Sequence, residues 1–176
     1  MSEPGVPERA DDLELPCGEI VHPSVFDLGM REFDCACGET HAVVMDVHPL
    51  ARFVPEFVVD TLRATIRTDD DFETFGTPHA MAMVREEFPD QVASADCSTD
   101  GAVGYALIWV ADFDSHRLHS VVVELLLELM EHAISHAEND ALAAEFEQYM
   151  HEFDLDEFVD LYREEREFET EHDTPV

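Results

Sequence analysis

The residues with the clearest chemical signal are three cysteines and a histidine near the amino end. Cys17, Cys35, Cys37 and His41 lie within a span of 25 residues. Thiolates and imidazoles are the ligands that zinc prefers in tetrahedral protein sites. Cys17 and Cys37 each precede a glycine, which permits a tight turn that brings backbone N–H groups close to the sulfur. We therefore predict a zinc site made by these four residues, and a structural one, because four protein ligands leave no position for water.

Both the fourth ligand and the presence of a metal have alternatives at this stage. His22 competes with His41 for the fourth position, and His48 is a weaker candidate. The thiols could instead be small buried side chains without a metal. A disulfide between Cys35 and Cys37 is disfavoured by the geometry that a disulfide requires and by a reducing compartment.

The other cysteine and several histidines carry weaker signals. Cys97 stands alone before a predicted turn, which favours a buried structural thiol. His132 and His136 follow Glu128 along one edge of a predicted helix, without the His-Glu-x-x-His order of a zinc protease. This edge is expected to face solvent, with a second metal site as the alternative.

Acidic residues are in large excess along the whole chain. The 176 residues include 42 Asp and Glu against nine basic residues, all of them Arg, and the formal net charge is −33. The excess runs through both halves, so it is not a solubility tail at one end. Such charge repels itself in dilute buffer, whereas molar salt shortens the Debye length to about 3 Å. We predict a protein adapted to a salt-rich cytoplasm, and nucleic-acid binding is not expected because the basic residues form no stripe.

No segment has the features of a secretion signal or of a membrane span. The longest apolar region, Val121 to Met130, is interrupted by Glu124 and Glu128. It is also far shorter than the ~20 residues that a spanning helix needs. A soluble cytoplasmic protein without a membrane partner is therefore expected.

The elements that must position the cluster change in character along the chain. Short β-like runs separated by turns over residues 13–48 predict three strands. Beyond them, apolar spacing typical of helices predicts a helix-rich body. Its helices are expected at residues 53–66, 78–88, 115–137, 141–152 and 155–168, with Thr77, Asp114 or Ser115, and Asp154 as amino-terminal caps.

Two predicted strands interrupt the helical body. Residues 91–97 and 103–112 are expected to pair as a hairpin through an Asp-Gly turn. The continuous apolar run in the second strand indicates a central position in a sheet. The predicted fold class is α+β, with a three-stranded zinc-ribbon-like β segment joined to a helix-rich body that contains a β-hairpin. The boundaries are 1–12 for a flexible amino end, 13–48 for the β segment, 49–168 for the body and 169–176 for a flexible carboxyl end.

Two resemblances accompany these predictions. Residues 13–48 resemble a zinc ribbon, although the usual pattern has two cysteines in each knuckle, separated by two residues. The segments LPCGE, FDCACGETHAVVMDVHP and FGTPH resemble a family of uncharacterised proteins from halophilic archaea over most of the chain. That resemblance implies a cytoplasmic setting and a domain of unknown function. It supplies no activity, so no catalytic residue is predicted.

The function expected from the sequence is that of a non-catalytic binding or regulatory protein. Zinc would hold the β segment in shape, and the helical body would present a surface to a protein partner or to a second copy. Large side chains in the last two helices either pack in the core or form that surface; they are Phe146, Tyr149, Met150, Phe153, Phe158 and Tyr162. A transcription-associated zinc ribbon is one alternative. An enzyme is the other, with a cleft lined by His79, Cys97, His116 or His119.

Overall fold

The computed structural model describes residues 12–26, 30–65, 75–96, 107–136 and 140–165, and these form a mixed α+β fold. The strands are β1 (Leu13–Glu14), β2 (Ile20–Val21), β3 (Glu32–Asp34), β4 (Thr40–Met45), β5 (Val92–Asp96) and β6 (Leu107–Ala111). The helices are α1 (Glu56–Thr65), α2 (Thr77–Glu87), α3 (Ser115–His136), α4 (Asp140–Glu152) and α5 (Leu155–Glu165). Short 3₁₀ turns cover Pro23–Val25 and Leu50–Arg52. The α+β class predicted from the sequence is confirmed.

Two antiparallel sheets replace the three-stranded ribbon expected over residues 13–48. The strands β1 and β2 pair with each other, while the second sheet has the order β3-β4-β6-β5. In that sheet β6 is interior, as its apolar sequence predicted. The prediction of a ribbon with its own three strands is wrong because β4 pairs with β6, with Val44 opposite Trp109. This pairing joins positions far apart in the sequence, so no local pattern could have indicated it.

Both faces of the four-stranded sheet are covered. Successive side chains of a strand point to opposite faces, and residues 42–45 of β4 are all buried. One face packs on the helices, through a core that includes Val44 and Trp109. The other face packs on the β1–β2 hairpin, through Val43, Met45 and Leu15. The short hairpin is therefore a third layer, on the side of the sheet opposite the helices.

Two of the predicted helix caps are present and one is corrected. Asp114 accepts the Arg117 N–H at 2.9 Å at the start of α3. Asp154 likewise caps α5. At α2 the cap is Gly76, not Thr77, because the Thr77 hydroxyl donates to the buried His48 carbonyl instead.

Some predictions fall on positions outside the described residues. They are the Asp-Gly turn, Cys97, most of the two chain ends and the last predicted turn of α5 beyond Glu165. Across the described part of the chain, no helix combines the length and the apolar character needed to cross a membrane.

Candidate metal centre

Two turns of the same shape carry the three cysteines. Residues 15–19 link β1 to β2, and residues 35–39 link β3 to β4. In each turn the N–H of the first residue donates to the carbonyl of the fifth, at 2.8 Å in the first turn and 3.0 Å in the second. The glycine N–H donates to the carbonyl of the first residue, at 2.9 Å and 3.0 Å respectively. Gly18 and Gly38 have φ values of 95° and 97°, a conformation that strongly favours glycine. The glycine after each cysteine is thus required by the turn.

Aligning the sequences of the two turns explains why the cysteine pattern departs from that of a zinc ribbon. Cys17 corresponds to Cys37, and Leu15 corresponds to Cys35. Leu15 is buried in the core beneath the hairpin, so the first turn supplies one thiol where the second supplies two. The missing fourth ligand comes from a neighbouring strand, as His41 of β4.

The structure brings all four predicted ligands together. One ligand atom from each of Cys17, Cys35, Cys37 and His41 lies within 4.8 Å of the others. The Cys17 and Cys35 sulfurs are 3.7 Å apart, and Cys37 Sγ is 3.5 Å from His41 Nε2. This arrangement of three thiols and one imidazole could hold a metal ion.

A hydrogen bond on the far side of the ring orients His41. Its side chain is fully buried, and Nδ1 lies 3.2 Å from the backbone carbonyl of Asp112. A proton on Nδ1 that donates to this carbonyl leaves the lone pair of Nε2 directed at the sulfurs. Histidine ligands of metals commonly have such an outer partner, which fixes the tautomer and the ring orientation. Nothing in the sequence indicated Asp112, which is 71 residues away from His41.

Burial raises the pKa of one thiol of the cluster, that of Cys35. Desolvation raises the pKa of Cys35 to about 11, and the neighbouring Cys37 and Cys17 sulfurs add to the shift. Without a cation this thiol is therefore protonated at neutral pH. A bound cation would favour the thiolate, so metal binding here would release a proton. Cys17 is half-buried and Cys37 is exposed, which leaves a path for an ion to enter.

The competing histidines lie elsewhere among the described residues. His48 is buried, and its Nδ1 accepts the Met45 N–H at 3.1 Å and a hydrogen bond from the Arg52 guanidinium. His22 is half-buried and is not one of the four residues that come together. The geometry therefore favours His41 as the fourth ligand.

The histidines considered for an enzyme cleft each make separate contacts. His79 stacks on Phe75 and accepts the Gly76 N–H through Nδ1 at 3.0 Å. His116 is exposed, with Nε2 2.7 Å from Asp160.

His119 is buried, and its Nε2 lies 2.7 Å from the Phe53 carbonyl. Burial lowers its pKa to about 4, so the imidazole is neutral and donates this bond. His132, from the weaker metal candidate on α3, is exposed.

Comparison with protein families gives one finding. Residues 13–166 match the model of a family of unknown function, DUF5815. The chain belongs to this family. The match covers both the turns that carry the cysteines and the helical layer. No curated protein and no solved structure gives a match.

Proposed function

We propose that the cluster of Cys17, Cys35, Cys37 and His41 is a structural zinc site. With Zn–S near 2.3 Å and Zn–N near 2.0 Å, a regular tetrahedron separates two sulfurs by about 3.8 Å and a sulfur from a nitrogen by about 3.5 Å. The corresponding distances in the structure are 3.7 and 3.5 Å. Four protein ligands fill a tetrahedral site. The metal would therefore hold the fold together rather than activate water.

The site would cross-link the β1–β2 hairpin to the four-stranded sheet. Cys17 belongs to the hairpin, Cys35 and Cys37 belong to the turn between β3 and β4, and His41 belongs to β4. Each hairpin strand has two residues, and an isolated hairpin of this size is not stable in water. The hairpin covers Val43, Met45, Ile108 and Val110 on one face of the sheet. Metal binding would keep this apolar face covered.

On the opposite side of the molecule, the helices leave an apolar groove that fits a binding role. The groove has a volume of about 190 Å³ and lies among α1, α3, α4 and α5. Phe57 and Tyr149 line it and are 67% and 52% exposed. The remaining lining residues are also apolar: Val54, Val58, Val123, Leu127, Met130, Phe146, Phe153 and Phe158. Exposed aromatic side chains beside an apolar groove are typical of protein-binding surfaces. We propose that this groove binds an apolar segment of a partner protein.

In this proposal the protein is a non-catalytic binding module adapted to a salt-rich cytoplasm. The net charge of −33 and the absence of Lys support the salt adaptation, because only high ionic strength screens such repulsion. The same charge opposes binding to nucleic acid, which makes a transcription-associated zinc ribbon the weaker alternative. The juxtaposition of four zinc-type ligands from two hairpins is the observation that carries the proposal.

Metal analysis of protein purified in molar KCl without chelator tests the zinc site. We expect one zinc per chain in the wild type and in the controls Cys97→Ser and His22→Gln. The variants Cys35→Ser and Cys37→Ser should contain no stoichiometric zinc. A wild type without metal, or a Cys35→Ser variant that retains it, would overturn the assignment.

The groove is tested by a double substitution at its exposed rim. Phe57→Ser with Tyr149→Ser should leave the fold intact, because both side chains are more than half exposed. It should abolish affinity capture of the partner in molar KCl. Leu161→Ser is the matched control, since Leu161 is 53% exposed on α5 but does not line the groove. Equal capture by all variants would remove the groove from the proposal. A dimeric mass in light scattering that the double substitution reduces to a monomeric mass would identify a second copy of the chain as the occupant.

A further inference from the structure

One contact within the cluster of Cys17, Cys35, Cys37 and His41 joins cysteines of two different turns. Cys17 Sγ, in the turn of the β1–β2 hairpin, lies 3.7 Å from Cys35 Sγ, in the turn between β3 and β4. Both cysteines are free thiols and half-buried. A disulfide has an S–S bond of about 2 Å, so an approach of about 1.7 Å would join these two sulfurs. The pair is therefore placed to form a disulfide as well as to bind a metal.

The other two ligands have a contact of their own. Cys37 Sγ lies 3.5 Å from His41 Nε2, and the far side of the ring is held by the carbonyl of Asp112, 3.2 Å from Nδ1. With its proton on Nδ1, the ring accepts the S–H of Cys37 through Nε2, and this contact does not need a metal. Two ligands do not complete the tetrahedron that a structural zinc site requires. A bond between Cys17 and Cys35 would therefore release the ion.

We propose that the cluster is a redox switch, in which a small-molecule disulfide links Cys17 to Cys35 and displaces the zinc ion. This inference rests on the structural zinc site proposed above. One thiolate of the pair attacks the small disulfide, which gives a mixed disulfide and releases one small thiolate. The second cysteine thiolate then attacks the cysteine sulfur of the mixed disulfide. The Cys17–Cys35 bond forms, the second small thiolate leaves, and two electrons have passed from the cysteines to the oxidant.

The disulfide would replace the ion as the link between the hairpin and the sheet. Cys17 and Cys35 both pack against the core that the hairpin covers, which includes Val43 and Met45. Each hairpin strand has only two residues, so the hairpin needs a cross-link in either state. A bond between Cys35 and Cys37 would lie within one turn and would link nothing. The switch would thus release zinc while the apolar face stays covered.

The cluster is open to the oxidant and to a reductant. Cys37 is exposed, so a small disulfide can reach the thiols from solvent. A mixed disulfide that begins at Cys37 passes to the neighbouring thiols by exchange. In a reducing compartment a disulfide of this kind is transient and serves as a redox sensor. Reduction would return the two thiolates, and zinc would bind again.

Oxidation of the zinc-loaded full chain tests the switch. The probe is 2-hydroxyethyl disulfide in molar KCl, an uncharged oxidant that the acidic protein does not repel. We expect release of one zinc per chain, loss of two of the four thiols, and a Cys17–Cys35 link in peptide mapping by mass spectrometry. Addition of 2-mercaptoethanol and zinc should reverse all three changes. The control Cys97→Ser should release zinc and form the link in the same way.

The possible failures of this experiment are distinct from one another. Absence of zinc before oxidation would remove the zinc site itself, and the switch with it. Zinc that stays bound while no link forms would overturn the switch alone. A link that contains Cys37 or Cys97, or zinc release without any link, would also overturn it.

A pair of double variants tests the cross-link without a metal. Cys37→Ser with Cys97→Ser leaves only Cys17 and Cys35, and oxidation should raise its melting temperature by about 6–12 °C, because the link restricts the unfolded chain. Cys17→Ser with Cys97→Ser is the matched control. It leaves two cysteines of one turn, and oxidation should leave its melting temperature unchanged. No rise in the first variant, or an equal rise in both, would contradict the proposal.

Discussion

Replacing Cys37 by serine separates the contribution of the metal from that of packing. Cys37 is the exposed thiol of the cluster, and its sulfur lies 3.5 Å from His41 Nε2. A substitution at an exposed position away from any special interaction changes stability by less than about 0.5 kcal/mol. Serine keeps a polar atom beside His41 and leaves no buried cavity at this exposed position, so we expect a larger effect of Cys37→Ser to come through the bound ion.

The expected size follows from mass action. Loss of an outer partner alone weakens metal affinity by about 10- to 100-fold, so loss of a ligand should weaken it by at least the upper figure. At a metal concentration that saturates the wild type, a 100-fold weaker site removes about 2.7 kcal/mol of stabilisation. For a chain of this length, each kcal/mol corresponds to about 2–4 °C in melting temperature. We therefore expect Cys37→Ser to melt at least about 5–10 °C below the wild type.

The assay is thermal unfolding in molar KCl, with and without a zinc chelator. The chelator should lower the melting temperature of the wild type to that of Cys37→Ser and should leave the variant unchanged. Cys97→Ser serves as the matched cysteine control and should respond to the chelator as the wild type does. Wild type and Cys37→Ser melting together in the absence of chelator would refute the reasoning.

Three further predictions concern individual residues. Burial lowers the pKa of His119 to about 4, so the unfolded chain binds a proton at this histidine before the folded chain does as the pH falls. The contribution of His119 to the free energy of unfolding is therefore complete above about pH 6.5 and declines by ~3 kcal/mol towards pH 4. Denaturant unfolding in the metal-free Cys37→Ser background should show this decline, and the added substitution His119→Gln should flatten it. Gly18→Ala and Gly38→Ala should each cost about 1–2 kcal/mol in thermal unfolding, although a Cβ would meet no atom within 4 Å at either site; unchanged stability would show that the backbone there is not constrained. Tyr162→Phe should cost about 1–3 kcal/mol, because the single proton of the Tyr162 hydroxyl is shared between the buried Ala51 and Val54 carbonyls; a neutral effect in chemical denaturation would argue against this bond.

Local features of the fold were predictable because their causes are local. The apolar spacing along residues 115–137 predicted α3, and Asp114 and Asp154 cap the helices that they were expected to start. The four cluster residues were also predictable, since turns and one adjacent strand bring together ligands that are close in sequence.

The remaining features depend on contacts between distant parts of the chain. The pairing of β4 with β6 merges the predicted ribbon and hairpin into one sheet, and only the assembled fold selects it. The Gly76 cap of α2 arises because the His48 carbonyl engages Thr77. The hydrogen bond between His41 and the Asp112 carbonyl likewise joins residues 71 positions apart, so no spacing could have indicated it.

X-ray absorption at the zinc edge tests the central claim most directly. The protein should be purified in molar KCl without added metal and measured as it is. We expect a four-coordinate zinc with three sulfurs near 2.3 Å and one nitrogen near 2.0 Å, and the nitrogen shell should persist in His22→Gln. The absence of zinc, or a coordination shell of oxygens, would contradict the account.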